Sequence, residues 1–221
     1  RADPRDAWFK LDTDAIVGQL ETGVTHTLRL DTTSGRTQWR LTTLIEGLPR
    51  RAEAERLELE WPAPWLLDRD SSPKPRDIAT IEESPGSPRV KLQFNPKLLT
   101  LDSFKVTLEA LANENLMRGE LFPTVSNSPY PSATVRLPRP AHVFDRGEHR
   151  IILEAPGLDL RVQQRGNPSL ELVSQATHRI EWKADRFASL EHVALAWKPY
   201  RPEMRVDSVI DPVVTARQVE V

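Results

Sequence analysis

The feature that most constrains the fold of this chain is a regular alternation of apolar and polar residues that begins near His149. A two-residue period gives a β-strand one dry face and one wet face, because successive side chains point to opposite sides. Short turn-like breaks separate the alternating segments, and such spacing is typical of a β-sandwich or barrel. The segments are His149–Glu154, Leu158–Gln163, Arg179–Ala184 and Val193–Lys198.

Strand patterns also run through the rest of the chain, to a total of roughly fifteen candidates. Helical spacing occurs at Glu109–Arg118, where a strand running into a loop is the alternative. We therefore predict an all-β fold, a large antiparallel two-sheet β-sandwich of the supersandwich kind with at most one or two short helices. The clearest of the other strand candidates are Thr27–Asp31, Thr37–Leu44, Arg56–Trp61, Ile78–Ile81, Arg89–Phe94, Phe104–Leu108 and Ala133–Leu137.

The domain organisation follows from the absence of a clear linker in the sequence. We predict a single domain over residues 1–221, a length that all-β sandwiches reach as one unit. The alternative is two tandem immunoglobulin-like sandwiches that divide near residues 126–132. The chain starts at Arg1 without a methionine, and its last residues still have a strand pattern. We expect it to be a piece excised from a longer polypeptide, so a signal peptide would lie outside it.

Composition argues against several classes of partner. The net charge is −2, which is not the basic balance expected of a nucleic-acid-binding protein. The sequence holds no apolar run of the roughly 18 residues that a membrane-spanning helix requires, so we predict no membrane insertion. Cysteine is absent, which excludes disulfides, thiolate catalysis and zinc–thiolate sites.

Residue patterns that carry catalysis or bind cofactors are also missing. The five histidines lack the close spacing that places two imidazoles on one metal ion. Gly86-Ser87-Pro88 does not match the nucleophile elbow of a serine hydrolase. No glycine-rich loop opens a helix in the way that a phosphate-binding site requires. We therefore predict that the chain is not an enzyme and holds no cofactor.

Asp68 and Asp70 are candidate ligands for a calcium ion. These carboxylates are followed by Ser71 and Ser72, and a cluster of oxygen-bearing side chains in a loop suits Ca²⁺. The alternative is a turn in which aspartate and serine bind their own backbone.

Aromatic residues give the strongest indication of a binding surface. Four tryptophans, Trp39, Trp61, Trp182 and Trp197, fall at inward positions of their strands and are predicted to be core residues. Trp65, Tyr130 and Tyr200 instead lie among prolines. We predict that these three form any platform for a sugar or a peptide. The alternative is that their rings pack on the prolines and close the ends of the sandwich.

Three segments carry a resemblance to a known group of proteins. Ala133–Pro140, Leu195–Met204 and Val209–Val219 resemble β-sandwich modules of very large multidomain bacterial envelope proteins. The resemblance implies a secreted, periplasmic or cell-surface location. It also implies that the partners are neighbouring domains of the same polypeptide, with a glycan or protein at the cell surface as a further partner.

The function expected from these observations is a non-catalytic structural or adhesive module. The alternative is a carbohydrate-binding module or a supersandwich accessory domain of a sugar-acting enzyme. Exposure of Trp65, Tyr130 and Tyr200 on one wet face distinguishes the two hypotheses, because stacking on a sugar ring requires an open aromatic face.

Overall fold

In a computed structural model of the chain, most of the described residues lie in β-strands. The structure describes residues 20–31, 38–50, 53–63, 65–72, 78–83, 88–112, 132–155, 158–161, 169–191 and 193–199. Over these residues it contains fifteen strands, one 3₁₀ turn at Phe187–Leu190 and no α-helix. The strands are β1 (Leu20–Asp31), β2 (Gln38–Pro49), β3 (Ala54–Glu60), β4 (Trp65–Leu67), β5 (Ile78–Glu83), β6 (Arg89–Leu98), β7 (Phe104–Ala112), β8 (Ser132–Val135), β9 (Arg139–Ala141), β10 (Phe144–Asp145), β11 (His149–Glu154), β12 (Leu158–Arg161), β13 (Leu170–Ala176), β14 (Arg179–Ala184) and β15 (Val193–Pro199).

The largest sheet has eight strands, seven of them in the order β13-β14-β11-β1-β2-β7-β4, with β10 also paired to β1. Its centre is the antiparallel pair β1–β2, which stays in register along all 12 residues of each strand. Burial alternates strictly along β2, as expected for a strand with one wet face. The sheet is mixed rather than wholly antiparallel, because β1 runs parallel to both β10 and β11.

The other described strands form two smaller sheets. One has four strands in the order β5-β6-β3-β9, and the other has three strands in the order β12-β15-β8. Buried residues of the eight-stranded and four-stranded sheets belong to one hydrophobic cluster. Phe94 of β6 and Phe104 of β7, for example, approach to 5.2 Å between ring centroids. The predicted all-β sandwich is therefore confirmed.

The core contains the tryptophans expected from the strand pattern. Trp39, Trp61 and Trp182 are each at most 7% exposed, which confirms their predicted inward positions. The side chain of Trp197 lies outside the described part of the structure. Large aromatic side chains each bury up to about 250 Å², so these residues supply a large share of the hydrophobic stabilisation.

The helix suggested at Glu109–Arg118 is not present in the described part of that segment. Residues 104–112 form β7, which pairs with β2 on one edge and with β4 on the other. Leu108 and Ala110 alternate with half-buried residues, so the sheet pairing overrides a loosely helical spacing. The strand thus extends to Ala112, and residues 113–118 lie outside the described residues.

The chain segments on either side of residues 126–132 contribute to the same sheet. Strand β1 lies before this segment, and its parallel neighbours β10 and β11 lie after it. Residues 126–131 themselves are outside the described residues.

Candidate functional site

Trp65 is a core residue and not part of an exposed aromatic platform. Its side chain is 5% exposed, and its indole N–H donates a hydrogen bond of 2.8 Å to the carbonyl of Arg136. The Trp65 carbonyl in turn accepts a bond of 2.7 Å from the indole of Trp61. Trp65 pairs with Ala112 of β7, so its ring lies on the dry face of the sheet. This corrects the expectation of an open ring at this position; Tyr130 and Tyr200 lie outside the described residues.

Asp68 and Asp70 occupy a turn that is stabilised by its own hydrogen bonds. The Asp68 carboxylate accepts bonds from the amides of Asp70 and Ser71 and from the Ser71 hydroxyl, at 2.9 to 3.3 Å. The Ser71 hydroxyl and amide hold the pKa of Asp68 below its ordinary value. This is the self-bonded turn that the sequence left as the alternative to calcium. In the described part of the chain, no three His, Asp or Glu side chains cluster so as to hold a metal ion.

A pair of a buried histidine and a partly exposed aspartate lies where β10 and β11 approach β1. His149 is fully buried, and its Nε2 lies 2.6 Å from Oδ1 of Asp145. The Val24 amide donates to His149 Nδ1 at 3.3 Å, which assigns the ring proton to Nε2. The ring of Phe187 stacks against the imidazole with centroids 4.3 Å apart. The imidazole is thus fixed in one tautomer by contacts on both nitrogens.

The Asp145 carboxylate connects three parts of the chain. Besides His149, it accepts hydrogen bonds from the amides of Gly147, at 2.7 Å, and Phe187, at 2.8 Å. Partial burial raises the pKa of Asp145, but the donors from Phe187, Gly147 and His149 outweigh burial and leave this pKa below its ordinary value. The ionised Asp145 carboxylate therefore stabilises the fold fully above the ordinary pKa of an aspartate. This stabilisation is lost as the pH falls through the lowered pKa of the folded state.

The geometry of this pair suits a structural role better than proton transfer. A general base needs a ring nitrogen within reach of a proton on a substrate. Both nitrogens of His149 are engaged inside the fold, and the ring has no exposed surface. The pair therefore anchors the β10–β11 turn to the backbone of β1.

Replacing Asp145 with alanine is expected to lower the free energy of unfolding by about 1 to 2 kcal/mol, because the buried Nε2–H of His149 loses its acceptor. Asp68→Ala is the matched control. Asp68 likewise accepts bonds from two amides and one side chain, but these donors are exposed and can bind water when the carboxylate is removed. A smaller loss of unfolding free energy is therefore expected. Urea denaturation measures the loss in each variant as a shift of the unfolding midpoint, provided that the dependence of the free energy of unfolding on urea concentration keeps the same slope. Equal losses would contradict the anchoring role of Asp145.

A second buried histidine lies on β1 itself. His26 Nδ1 is 3.1 Å from the Thr43 hydroxyl on the neighbouring strand β2. His26 Nε2 makes no well-formed hydrogen bond with any described residue. Burial lowers the pKa of His26 to about 3, and the Pro138 backbone opposes this shift only in part. The ring is thus held neutral inside the core.

A pocket of about 410 Å³ opens on the wet face of the eight-stranded sheet, opposite the core. We call it the outer-face pocket. Its floor is crossed by β11, β1, β2 and β7, and its edge by the turn that contains Asp68. Its charged and polar lining includes Arg29, Arg40, Thr42, Asp68, Glu109 and Glu154.

A smaller pocket of about 200 Å³ lies beside Trp61. Its floor is apolar, and its rim carries ion pairs of Arg139 with Glu60, at 2.6 Å, and of Arg136 with Glu191, at 3.5 Å. These pairs neutralise one another within the rim and join β3 and β9 to the 3₁₀ turn region. These arginines and glutamates therefore serve to hold neighbouring segments together.

Sequence reasoning missed the outer-face pocket because its charges are brought together by strand register. Arg29 and Arg40 are joined by a hairpin-like pair of strands, and the register places them directly opposite each other. Both side chains are exposed, on the face opposite the buried Leu28, Leu30, Trp39 and Leu41. A signal was present, since two arginines near the adjoining ends of two predicted strands are expected to be close in a hairpin.

Comparisons with known proteins found no matching family model and no matching curated protein. Similar solved structures include an M1 zinc metallopeptidase from Deinococcus radiodurans, with a TM-score of 0.46, 11% identity, and coverage of 83% of this chain and 43% of that chain. For a mutant of the same enzyme the TM-score is 0.45 and the sequence identity 9%, and the match covers 82% of this chain and 42% of that chain. The chain thus spans less than half the length of these proteins, and similarity at this level assigns it no activity.

No helix in the described residues has the length and hydropathy needed to cross a membrane.

Proposed function

We propose that this chain is a non-catalytic structural or adhesive β-sandwich module of a larger secreted or cell-envelope protein. The observation that carries the proposal is that groups suited to chemistry are engaged in holding the fold together. Both nitrogens of His149 and the carboxylate of Asp145 bind neighbouring strands and turns. The indoles of Trp61 and Trp65 donate to backbone carbonyls.

The position of β1 supports a load-bearing role. This first described strand is bonded on one edge to β2 along its whole length. Its other edge pairs with β10 and β11. A force applied along β1 therefore acts on hydrogen bonds at both edges together, and many bonds must break for the strand to leave the sheet.

The proposed location and partners follow from the resemblance of Ala133–Pro140, Leu195–Met204 and Val209–Val219 to modules of large envelope proteins. In that setting, the neighbouring domains of the same polypeptide are the main partners. A glycan or protein at the cell surface would be bound only in an adhesive module.

Single-molecule force spectroscopy on the full chain, held by its two ends, tests the structural role. We expect a distinct rupture that releases about 3.6 Å of contour length for each unfolded residue. Asp145→Ala is expected to lower the rupture force, because it frees the anchor between His149 and the Val24 amide on β1. Asp68→Ala, in a turn remote from that anchor, is expected to leave the force unchanged.

Extension without a distinct rupture would overturn the load-bearing role, as would equal rupture forces for the chain and Asp145→Ala.

A glycan array followed by tryptophan-fluorescence titration tests the carbohydrate-binding alternative. Saturable binding that is abolished by Tyr130→Ala or Tyr200→Ala would establish that alternative and replace the structural proposal. Saturable binding that survives both changes would exclude the platform predicted from the aromatic residues.

A further inference from the structure

Two leucines project from the turn that joins β6 to β7, and we call this segment the leucine turn. Leu99 is 54% exposed, and Leu101, at 73%, is the most exposed large apolar side chain among the described residues. Single apolar side chains are common on protein surfaces, whereas neighbouring ones that form a patch mark a contact site. The leucine turn is therefore a candidate for contact with another group.

The backbone of the leucine turn holds Leu101 in a conformation that leucine disfavours. Its φ of 72° lies in the left-handed region, where glycine or asparagine is more usual. Hydrogen bonds nevertheless fix the turn: the Leu101 amide donates to the Pro49 carbonyl at 2.8 Å, and the Leu99 amide donates to the Asp102 carboxylate at 2.9 Å. Strained backbone of this kind is concentrated at functional contacts, and here it presents an apolar side chain outward from a rigid position.

The leucine turn lies at the end of the eight-stranded sheet where β1 begins. Pro49, which accepts the bond from Leu101, is the register partner of Leu20, the first residue of β1. Neighbouring strands lie about 5 Å apart, so Leu101 is within roughly 10 Å of Leu20. Residues 1–19, which are outside the described residues, therefore connect to the sheet beside the leucine turn. Residues 113–131, by contrast, follow the far end of β7.

We propose that the leucine turn is a docking site for the segment that precedes β1, with the aromatic pair Trp8–Phe9 of this chain covering the two leucines. Trp8 and Phe9 are adjacent in the sequence and are the only aromatic residues of that segment. The twelve peptide units from Trp8 to Leu20 span up to about 40 Å when extended, which is several times the distance to be bridged. This contact does not depend on the structural role proposed above.

Three properties favour this occupant over a separate partner. The segment is tethered one or two strand spacings from the turn, so its effective concentration there is high. Planar aromatic side chains bury a large apolar area, which suits two exposed leucines. The charged residues around the turn are already compensated by ion pairs, so the site does not call for an ionic partner. These pairs are Lys97 with Glu55 and Arg50 with Glu21.

Limited trypsin digestion of the full chain, followed by mass spectrometry, tests the contact at Lys10, which directly follows Phe9. Docking of the aromatic pair slows cleavage after Lys10. Leu101→Asn removes the apolar side chain while asparagine tolerates the left-handed backbone, so we expect this cleavage to become at least tenfold faster. Leu66→Asn is the matched control, because Leu66 is also exposed, at 56%, but lies on β4 beside the far end of β7. It should change the cleavage rate less than twofold.

A second set of variants tests whether the aromatic pair and the leucine turn act through the same contact. The double variant Trp8→Ser with Phe9→Ser is expected to speed cleavage after Lys10 as much as Leu101→Asn does. Adding Leu101→Asn to that double variant should change the rate less than twofold, because the contact is already lost. Thermal melts check that each variant is folded, and Leu99→Asn takes the place of Leu101→Asn if the latter is not.

The proposal fails if Leu101→Asn leaves the rate of cleavage after Lys10 unchanged, or if Leu66→Asn raises that rate equally. It also fails if the effect of Leu101→Asn adds in full to that of the aromatic double variant. Sedimentation velocity distinguishes a second copy of the chain as the occupant. A dimer that Leu101→Asn converts to a monomer, with unchanged cleavage after Lys10, would overturn the proposal in favour of self-association.

Discussion

Lowering the pH from 7 to 4 is expected to destabilise the fold by about 3 kcal/mol through one side chain, His26. Its pKa is about 3 in the folded chain against an ordinary value of 6.5. The folded state therefore disfavours the protonated ring that the unfolded state accepts. The stabilisation is complete above pH 6.5 and is lost progressively as the pH falls toward 3, at about 1.4 kcal/mol for each pH unit.

Removing the polar pair should abolish this part of the acid sensitivity. The double variant His26→Leu with Thr43→Val replaces both partners with apolar groups of similar size, which is often nearly neutral for stability. We expect the free energy of unfolding of this double variant to depend less on pH than that of the unaltered chain. Urea denaturation of both proteins at several pH values between 7 and 4 measures this dependence. His142→Asn, at an exposed histidine with a positive φ of 57° that asparagine tolerates, is the control and should keep the original dependence. An unchanged dependence in the double variant would contradict the role of His26.

The second large effect is expected at Gly47, in the middle of the eight-stranded sheet. A Cβ atom at this position would lie 2.2 Å from the carbonyl oxygen of Glu21 and 3.0 Å from the ring of Phe104. Strands β1 and β7 flank Gly47 from both edges, so the backbone has no free direction in which to shift. Gly47→Ala is expected to lower the free energy of unfolding by about 3 kcal/mol, and the melting temperature by roughly 10 °C.

Two other changes calibrate that result. Gly23→Ala places a Cβ atom 3.0 Å from the Glu148 carbonyl, which is tight but less severe, so an intermediate loss is expected. Glu46→Ala alters the exposed residue beside Gly47 and should stay within about 0.5 kcal/mol of the unaltered chain. Thermal and urea unfolding measure all three variants. A loss for Gly47→Ala no larger than that for Glu46→Ala would show that the strands separate easily at this point.

The strands that bury one face against the core could be predicted from the sequence. Strands β3, β6, β11 and β14 carry the alternation that predicted them, because every second side chain is buried along Arg56–Trp61, Arg89–Phe94, His149–Glu154 and Arg179–Ala184. Strand β13 was missed, since nearly all of its residues are exposed and no dry face shapes its sequence. Strand β9 was missed because it contains Pro140, which is tolerated only because β9 lies at the edge of its sheet.

The binding chemistry was less predictable than the strands. Trp65 lies among prolines, as an exposed platform residue would, but pairing of β4 with β7 turns its ring into the core. The His149 imidazole binds the amide of Val24, which is 125 residues away in the chain. Arg29 and Arg40 form a pocket only in the observed register, since a shift of one residue would move one of them to the dry face.

The presence of strands, and the dry face of most of them, could be predicted from the amino-acid pattern alone, because the alternation of apolar and polar residues is local. Which strands pair, in which direction and in which register became clear only in the folded chain. Those choices depend on contacts between residues far apart in the chain, and they create the polar contacts of the two buried histidines and the charged outer-face pocket.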